Sequence, residues 1–203
     1  MERNVDLTKE EEKVEKEKRQ AVSKREFFLN DGVSAGSVKD IITGILEVNR
    51  YDAERERRDS DYQRQPIRLI VNTYGGSVYD GFGLVAVIDT SETPVHTYLY
   101  GKAMSMGLII FASGHRRFAH PLGTLMYHQI SVGAQDKIEG IEQVIAQSHK
   151  LNEAYDNYLL AVSNIPKKKL DQAKKQKQEL YMFALEAIEY GLVDEILPSR
   201  RQR

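Results

Sequence analysis

Residues 95–112 read Val-His-Thr-Tyr-Leu-Tyr-Gly-Lys-Ala-Met-Ser-Met-Gly-Leu-Ile-Ile-Phe-Ala, with Ser105 at the join between two patterns. Val95–Tyr100 is rich in β-branched and aromatic residues and reads as a strand. Residues 106–112 are almost continuously apolar and read as a short buried helix. A strand that runs directly into a helix is the basic step of an α/β fold.

Working outward, the same alternation continues. Upstream lie a strand at Ile67–Val71, a turn at Gly75–Gly76 and a helix over 78–90. Further back, Val38, Ile41, Ile42, Ile45 and Leu46 share one face of a helix over 37–49, preceded by a short strand at Arg25–Asn30. Downstream come strands at Phe118–Ala119 and Thr124–Tyr127, then a long helix over about 137–163. Ile138, Ile141, Val144, Ile145, Leu151, Tyr155, Tyr158, Leu159 and Val162 form its apolar stripe. A lysine-rich helix, a short helix near 184–190 and a strand at Val193–Leu197 end the ordered part. The pattern predicts an α/β fold with parallel pairing.

The chain has 203 residues, 41% of them hydrophobic, enough for one domain with a sizeable core. Its ordered domain is expected over 25–198. Residues 1–24 form a charged arm, helical or mobile, and 199–203 a short tail. Residues 50–66, rich in Asp, Glu and Arg and closed by Pro66, read as a solvated helix extension or loop. A net charge of −1 gives no field to attract nucleic acid or an anionic membrane. The charged N-terminus does not look like a signal peptide, and Leu108–Ala112 is too short to span a bilayer. A cytoplasmic protein is expected. With no cysteine, disulfides, thiolate zinc sites and cysteine nucleophiles are excluded. Histidines 96, 115, 120, 128 and 149 show no helical zinc spacing.

Three features carry chemistry. Ser105 opens a helix, where unpaired N–H groups favour negative charge; alone, it would be an ordinary helix cap. Gly75–Gly76 follows a buried strand and lets backbone approach a reacting carbonyl; alone, it would be an ordinary turn. His128 ends the apolar strand Leu125-Met126-Tyr127; alone, it would be a structural histidine. Together they suggest acyl transfer by an activated hydroxyl, which needs a base and preorganised donors for the oxyanion. Gly81-Phe-Gly-Leu-Val-Ala86 matches a dinucleotide-binding pattern, but it lies within a helical stretch and is set aside. The chain has no P-loop of its own.

The motifs from about Phe27 to Leu197 resemble those of the proteolytic subunits of Clp proteases, including divergent phage relatives. Thr-Tyr-Gly-Gly-Ser-Val (73–78) stands for Ser-Pro-Gly-Gly, and Gly-Lys-Ala-Met-Ser-Met-Gly (101–107) for Gly-x-Ala-Ala-Ser-Met-Gly. Met-Tyr-His-Gln (126–129) stands for Met-Ile-His-Gln. Glu-Ala-Ile-Glu-Tyr-Gly-Leu-Val-Asp-Glu-Ile (186–196) is similar to the C-terminal signature. The resemblance implies a crotonase-like fold of repeated β-β-α units with a protruding strand-helix handle from Ile130 to about Tyr158. It implies a serine endopeptidase with Ser105 as nucleophile, His128 as general base, and the amides of Gly76 and Met106 as oxyanion hole.

The position of the family's catalytic aspartate is held by Glu179, with Asp171 as runner-up. The resemblance further implies stacked heptameric rings, peptide or unfolded protein substrates, and no cofactor in this chain. ATP would enter only through a separate AAA+ unfoldase. Two other functions remain open: an acyl-CoA-binding enzyme of the crotonase type, and a catalytically weak structural subunit. Tyr74 in place of proline and the charged stretch 50–65 depart from the family pattern, as does the arm.

Overall fold

The computed structural model describes residues 25–131, 133 and 137–198. The charged arm 1–24 and the tail 199–203 lie outside the described residues. So do Val132 and Ala134, which fall within the expected handle.

The chain runs β1 (Glu26–Leu29), α1 (Ala35–Arg58), β2 (Ile67–Thr73), α2 (Val78–Asp89), β3 (Val95–Met104) and α3 (Met106–Ala112). It continues through β4 (Arg116–Ala119), β5 (Thr124–Tyr127), α4 (Ile138–Ala161), α5 (Lys167–Gln176), β6 (Leu180–Phe183), α6 (Ala184–Glu189) and β7 (Glu195–Ile196). Strands β1-β2-β3-β4-β7 lie side by side and parallel. β5 branches from the far end of β3, also parallel, and β6 closes on β5 antiparallel. The expected α/β fold with a largely parallel sheet is what forms.

The core sits where the parallel strands meet α1, α2 and α3. Ile67, Leu69 and Val71 of β2 and Val95, Leu99 and Ala103 of β3 are fully buried. α1 starts at a capping box, in which Ser34 and Ser37 satisfy each other's end of the first turn. Its buried face is Val38, Ile41, Ile45 and Val48; of the expected face, Ile42 is half-buried and Leu46 is exposed.

The helix does not stop at residue 49; it continues to Arg58, and irregular chain follows to Pro66. The reason is Asp52, fully buried in the extension. It is bonded by Arg25 (2.5 and 2.9 Å), Tyr62 (2.6 Å) and Thr93 (2.7 Å). An ion pair thus fastens the charged stretch to the start of β1.

Strand β6 was not expected from the sequence. Leu180-Tyr-Met-Phe183 alternates between outward and inward residues, with only Met182 buried. Four residues next to a lysine-rich helix give too short a period-2 signal, so the strand is defined by its pairing with β5.

α4 splits into two halves. Its buried residues are Asn152, Tyr155, Asp156 and Leu159, all in the C-terminal half. From Ile138 to Leu151 no residue is buried, and Ile138 is 74% exposed. No strand occurs among the described residues between β5 and α4.

Candidate active site

β3 is bent where it approaches the site. Its first half pairs with β4 through Leu99–Ala119, and its last residues pair with β5 from Lys102–Thr124 onward. Across the sheet, Val71 faces Leu99 but Thr73 faces Ala103, so β3 carries extra residues at the bend. Such irregularities re-aim a strand end. Here the end carries Ser105.

Ser105 has φ 52° and ψ −123°, a left-handed conformation that costs a non-glycine residue roughly 1–3 kcal/mol. Three hydrogen bonds hold it there. Its N–H donates to the Met126 carbonyl (2.8 Å), and its carbonyl accepts from Leu108 N–H (2.9 Å) and the Tyr155 hydroxyl (2.8 Å). The Ser105 side chain makes no capping bond to α3. The ordinary helix-cap explanation therefore fails, and the hydroxyl is available for other work.

That hydroxyl lies 2.8 Å from His128 Nε2, within a hydrogen bond. His128 directly follows β5, and the β3–β5 pairing places the two strand ends together: Met104 opposes Met126, just before Ser105 and two residues before His128. Both side chains are half-buried, so the pair is reachable from outside. A hydroxyl against an imidazole nitrogen at this distance is the geometry for proton removal during nucleophilic attack.

The glycine pair packs against this point. A Cβ on Gly75 would stand 2.7 Å from Ser105 Cβ and 3.0 Å from Met106 N, so only glycine permits the approach. Gly76 is exposed, and its backbone lies against Val33 in an isolated parallel bridge. That bridge uses the Gly75 carbonyl and Ser77 N–H, bonded to Val33 N–H and its carbonyl at 2.8 Å each. Among the described residues neither Gly76 N–H nor Met106 N–H is spent on a backbone hydrogen bond. Met106 begins α3, where first-turn amides have no partner within the helix.

The turn is set by a side chain rather than by proline. Thr73 Oγ1 donates to the Asp31 carbonyl (2.6 Å) and accepts from Gly75 N–H (3.0 Å). Tyr74, 72% exposed, lies under the Lys102 ammonium at 4.3 Å from its ring centre.

Glu179 immediately precedes β6. The antiparallel ladder ends at the pair Tyr127–Leu180, with Glu179 the residue just before β6 and His128 the residue just after β5. The Glu179 side chain is exposed, and its carboxylate accepts from the Tyr181 hydroxyl at 2.5 Å, which raises the tyrosine's pKa. No hydrogen bond joins Glu179 to His128 among the described residues. Asp171 lies on α5 and pairs with Lys167 (2.9 Å) and Lys174 (3.2 Å), which hold its carboxyl below its ordinary range.

Sequence reading overlooked the polar side chains behind the site. The sequence pattern marks Tyr127 and Tyr155 only as apolar positions and gives no sign of Asn152, Asp156 or Lys174. One available signal was Tyr127 itself, which stands where the resembling motif has isoleucine. Gly81-Phe-Gly-Leu-Val-Ala86 lies inside α2, as expected, with Gly81 against the Met106 side chain. No cluster of three or more metal-binding side chains occurs among the described residues.

The sequence is similar to those of known proteins. The chain is 29% identical over 146 residues to an ATP-dependent Clp protease proteolytic subunit of Deinococcus radiodurans, covering 71% of each chain. It is 28% identical over 178 residues to ATP-dependent Clp protease proteolytic subunit 2 of Parasynechococcus marenigrum, covering 87% of this chain and 84% of that one. The model of the Clp protease family matches residues 9–200. That match spans the Gly-Gly turn, the serine at the bent strand end, its histidine and the closing β6–α6 segment, so this chain belongs to the Clp protease family.

Proposed function

We propose that Ser105, His128 and the amides of Gly76 and Met106 are the working parts of the serine endopeptidase that family membership makes of this chain. What carries the reading is the 2.8 Å hydrogen bond between Ser105 Oγ and His128 Nε2. His128 takes the hydroxyl proton as Ser105 Oγ attacks the scissile carbonyl carbon. The carbonyl oxygen becomes an oxyanion, stabilised by the two amides. His128 then gives the proton to the leaving amine as the C–N bond breaks. Water, deprotonated by the same histidine, attacks the acyl-enzyme and releases the carboxylate product. Glu179 is the acid that orients the imidazole, once its carboxylate turns from Tyr181.

The substrates are peptides and unfolded segments, reached inside a chamber of stacked heptameric rings. α4, whose N-terminal half is left uncovered by its own domain, supports this as the element that joins rings. Folded substrates would need a separate ATP-driven unfoldase. The reaction itself takes no cofactor in this chain, and the enzyme works in the cytoplasm. No helix among the described residues is long and apolar enough to cross a membrane. Residues 25–198 form the peptidase domain.

The test is hydrolysis of a fluorogenic peptide together with covalent labelling by a fluorophosphonate. Wild type should hydrolyse and label, whereas Ser105→Ala should lose both while keeping its fold. Losing the nucleophile or the base costs on the order of 10⁴ or more in rate. Unchanged hydrolysis by Ser105→Ala would remove this reading, and a wild type that never labels would favour an acyl-CoA-type enzyme.

A further inference from the structure

The catalytic reading leaves three buried polar side chains of α4 unassigned: Asn152, Tyr155 and Asp156. They fall at i, i+3 and i+4, and so share one face of the helix. Each one is committed to a bond. Tyr155 donates to the Ser105 carbonyl (2.8 Å). Asp156 accepts from the Tyr127 hydroxyl (2.7 Å), Lys174 Nζ (2.5 Å) and Asn152 Nδ2 (3.1 Å). Asn152 Oδ1 accepts from Ile130 N–H (3.0 Å). The bonds therefore reach the backbone of the serine and the chain on both sides of the histidine, at Tyr127 and Ile130.

Taking the active-site reading as its basis, we propose that Tyr155 and Asp156 are positioning residues for the peptidase reaction. Tyr155 holds the strained Ser105 backbone, and Asp156, through Tyr127, holds the strand end that carries His128.

Two considerations favour this over a purely structural role. A partly buried carboxylate with three donors around it is a costly arrangement that apolar packing could often replace, and its bond to Tyr127, one residue before His128, gives it a geometric use. The left-handed Ser105 backbone has to be over-determined by its surroundings, and Tyr155 supplies the only side-chain bond to it among the described residues. The rings of Tyr127 and Tyr155 also pack together, 5.8 Å apart and tilted by 47°, so the two arms of the device share a hinge-free wall. Burial and then the Asp156 bond push Tyr127 upward in pKa, and burial does the same to Tyr155. Both hydroxyls therefore remain protonated donors across the working range.

The test uses the full chain with Tyr127→Phe and Tyr155→Phe, which delete single hydroxyls and keep the rings. Tyr158→Phe is the control: it sits on the same helix, but its hydroxyl donates to Asp89 (3.3 Å), outside the site. The readouts are kcat and KM on a fluorogenic peptide, the second-order rate of fluorophosphonate labelling, the melting temperature and the scattering mass. Tyr127→Phe and Tyr155→Phe should lower kcat and labelling about tenfold or more with KM nearly unchanged, because misplacement of reacting groups acts on the transition state. Tyr158→Phe should leave kcat and labelling at the wild-type level. Wild-type kcat in either site variant overturns its part of the proposal. A fall in all three variants that tracks melting temperature overturns it altogether. If wild type is not labelled at all, the active-site reading fails first and the positioning claim falls with it.

Discussion

In the proposed mechanism Ser105 has two conflicting duties, one as a link in the backbone and one as a reagent. The bend in β3 and the packing of Gly75 against it force its φ to 52°, and that same conformation turns its hydroxyl away from α3 and toward His128. The Glu179 carboxylate is bonded to Tyr181, and Glu179 immediately precedes β6, the strand that pairs with the one leading to His128. If Glu179 is the acid, Glu179→Gln should lower kcat by between about tenfold and 10⁴-fold, because a neutral amide cannot stabilise the imidazolium. Asp171→Asn should leave kcat near wild type, since Asp171 is engaged with two lysines of its own helix. Steady-state rates of the two variants decide between them. The reverse order would transfer the role to Asp171.

Among the elements, α4 does most to extend the domain beyond its own core. Its C-terminal half is fastened behind the active site, while its N-terminal half exposes Ile138 and Ile145, 74% and 48% accessible. If this partly exposed apolar stripe packs against another copy, as proposed, each large side chain would contribute about 1.5–3 kcal/mol when fully covered. A charge placed in such a stripe is costly only in the assembled state. Ile141→Asp or Val144→Asp should therefore reduce the scattering mass while leaving helical content intact, and peptidase activity should fall with assembly. A wild-type particle of 23.2 kDa that hydrolyses peptides efficiently would contradict the role given to α4.

For the whole molecule, pH acts through the buried ion pair that ties the α1 extension to β1. Burial pushes the Asp52 carboxyl upward, but bonds from Arg25, Tyr62 and Thr93 outweigh it, and the net pKa is lowered. A carboxyl held lower in the folded than in the unfolded chain stabilises fully above its unfolded value, near ~3.9. That contribution is lost as pH falls through the folded value. Urea midpoints should accordingly drop on acidification below about pH 4, and less steeply in Asp52→Asn. At neutral pH, Asp52→Ala should cost on the order of 3 kcal/mol by leaving Arg25 and two hydroxyls without their acceptor. A variant as stable as wild type at pH 7 would mean that this pair only registers the extension.

The sequence by itself determined the β/α alternation, the mainly parallel pairing and most of the buried face of α1, and its motifs marked the serine, histidine and glycines that the fold brings close together. These are local signals, carried by periodicity, turn chemistry and short motifs, and they survive without knowledge of what lies across the sheet. The tertiary structure alone decided that β6 is a strand, that Asp52 carries α1 to Arg58, and that Tyr127, Asn152, Tyr155, Asp156 and Lys174 stand behind the candidate site. Each of those depends on partners far along the chain: Asp52 with Arg25, Tyr155 with Ser105, β6 with β5. A tyrosine or aspartate in a helical stripe looks the same whether it meets solvent or a carbonyl. Only the folded packing supplies the second half of the bond, which is why these residues were invisible to a reading that proceeds along the chain.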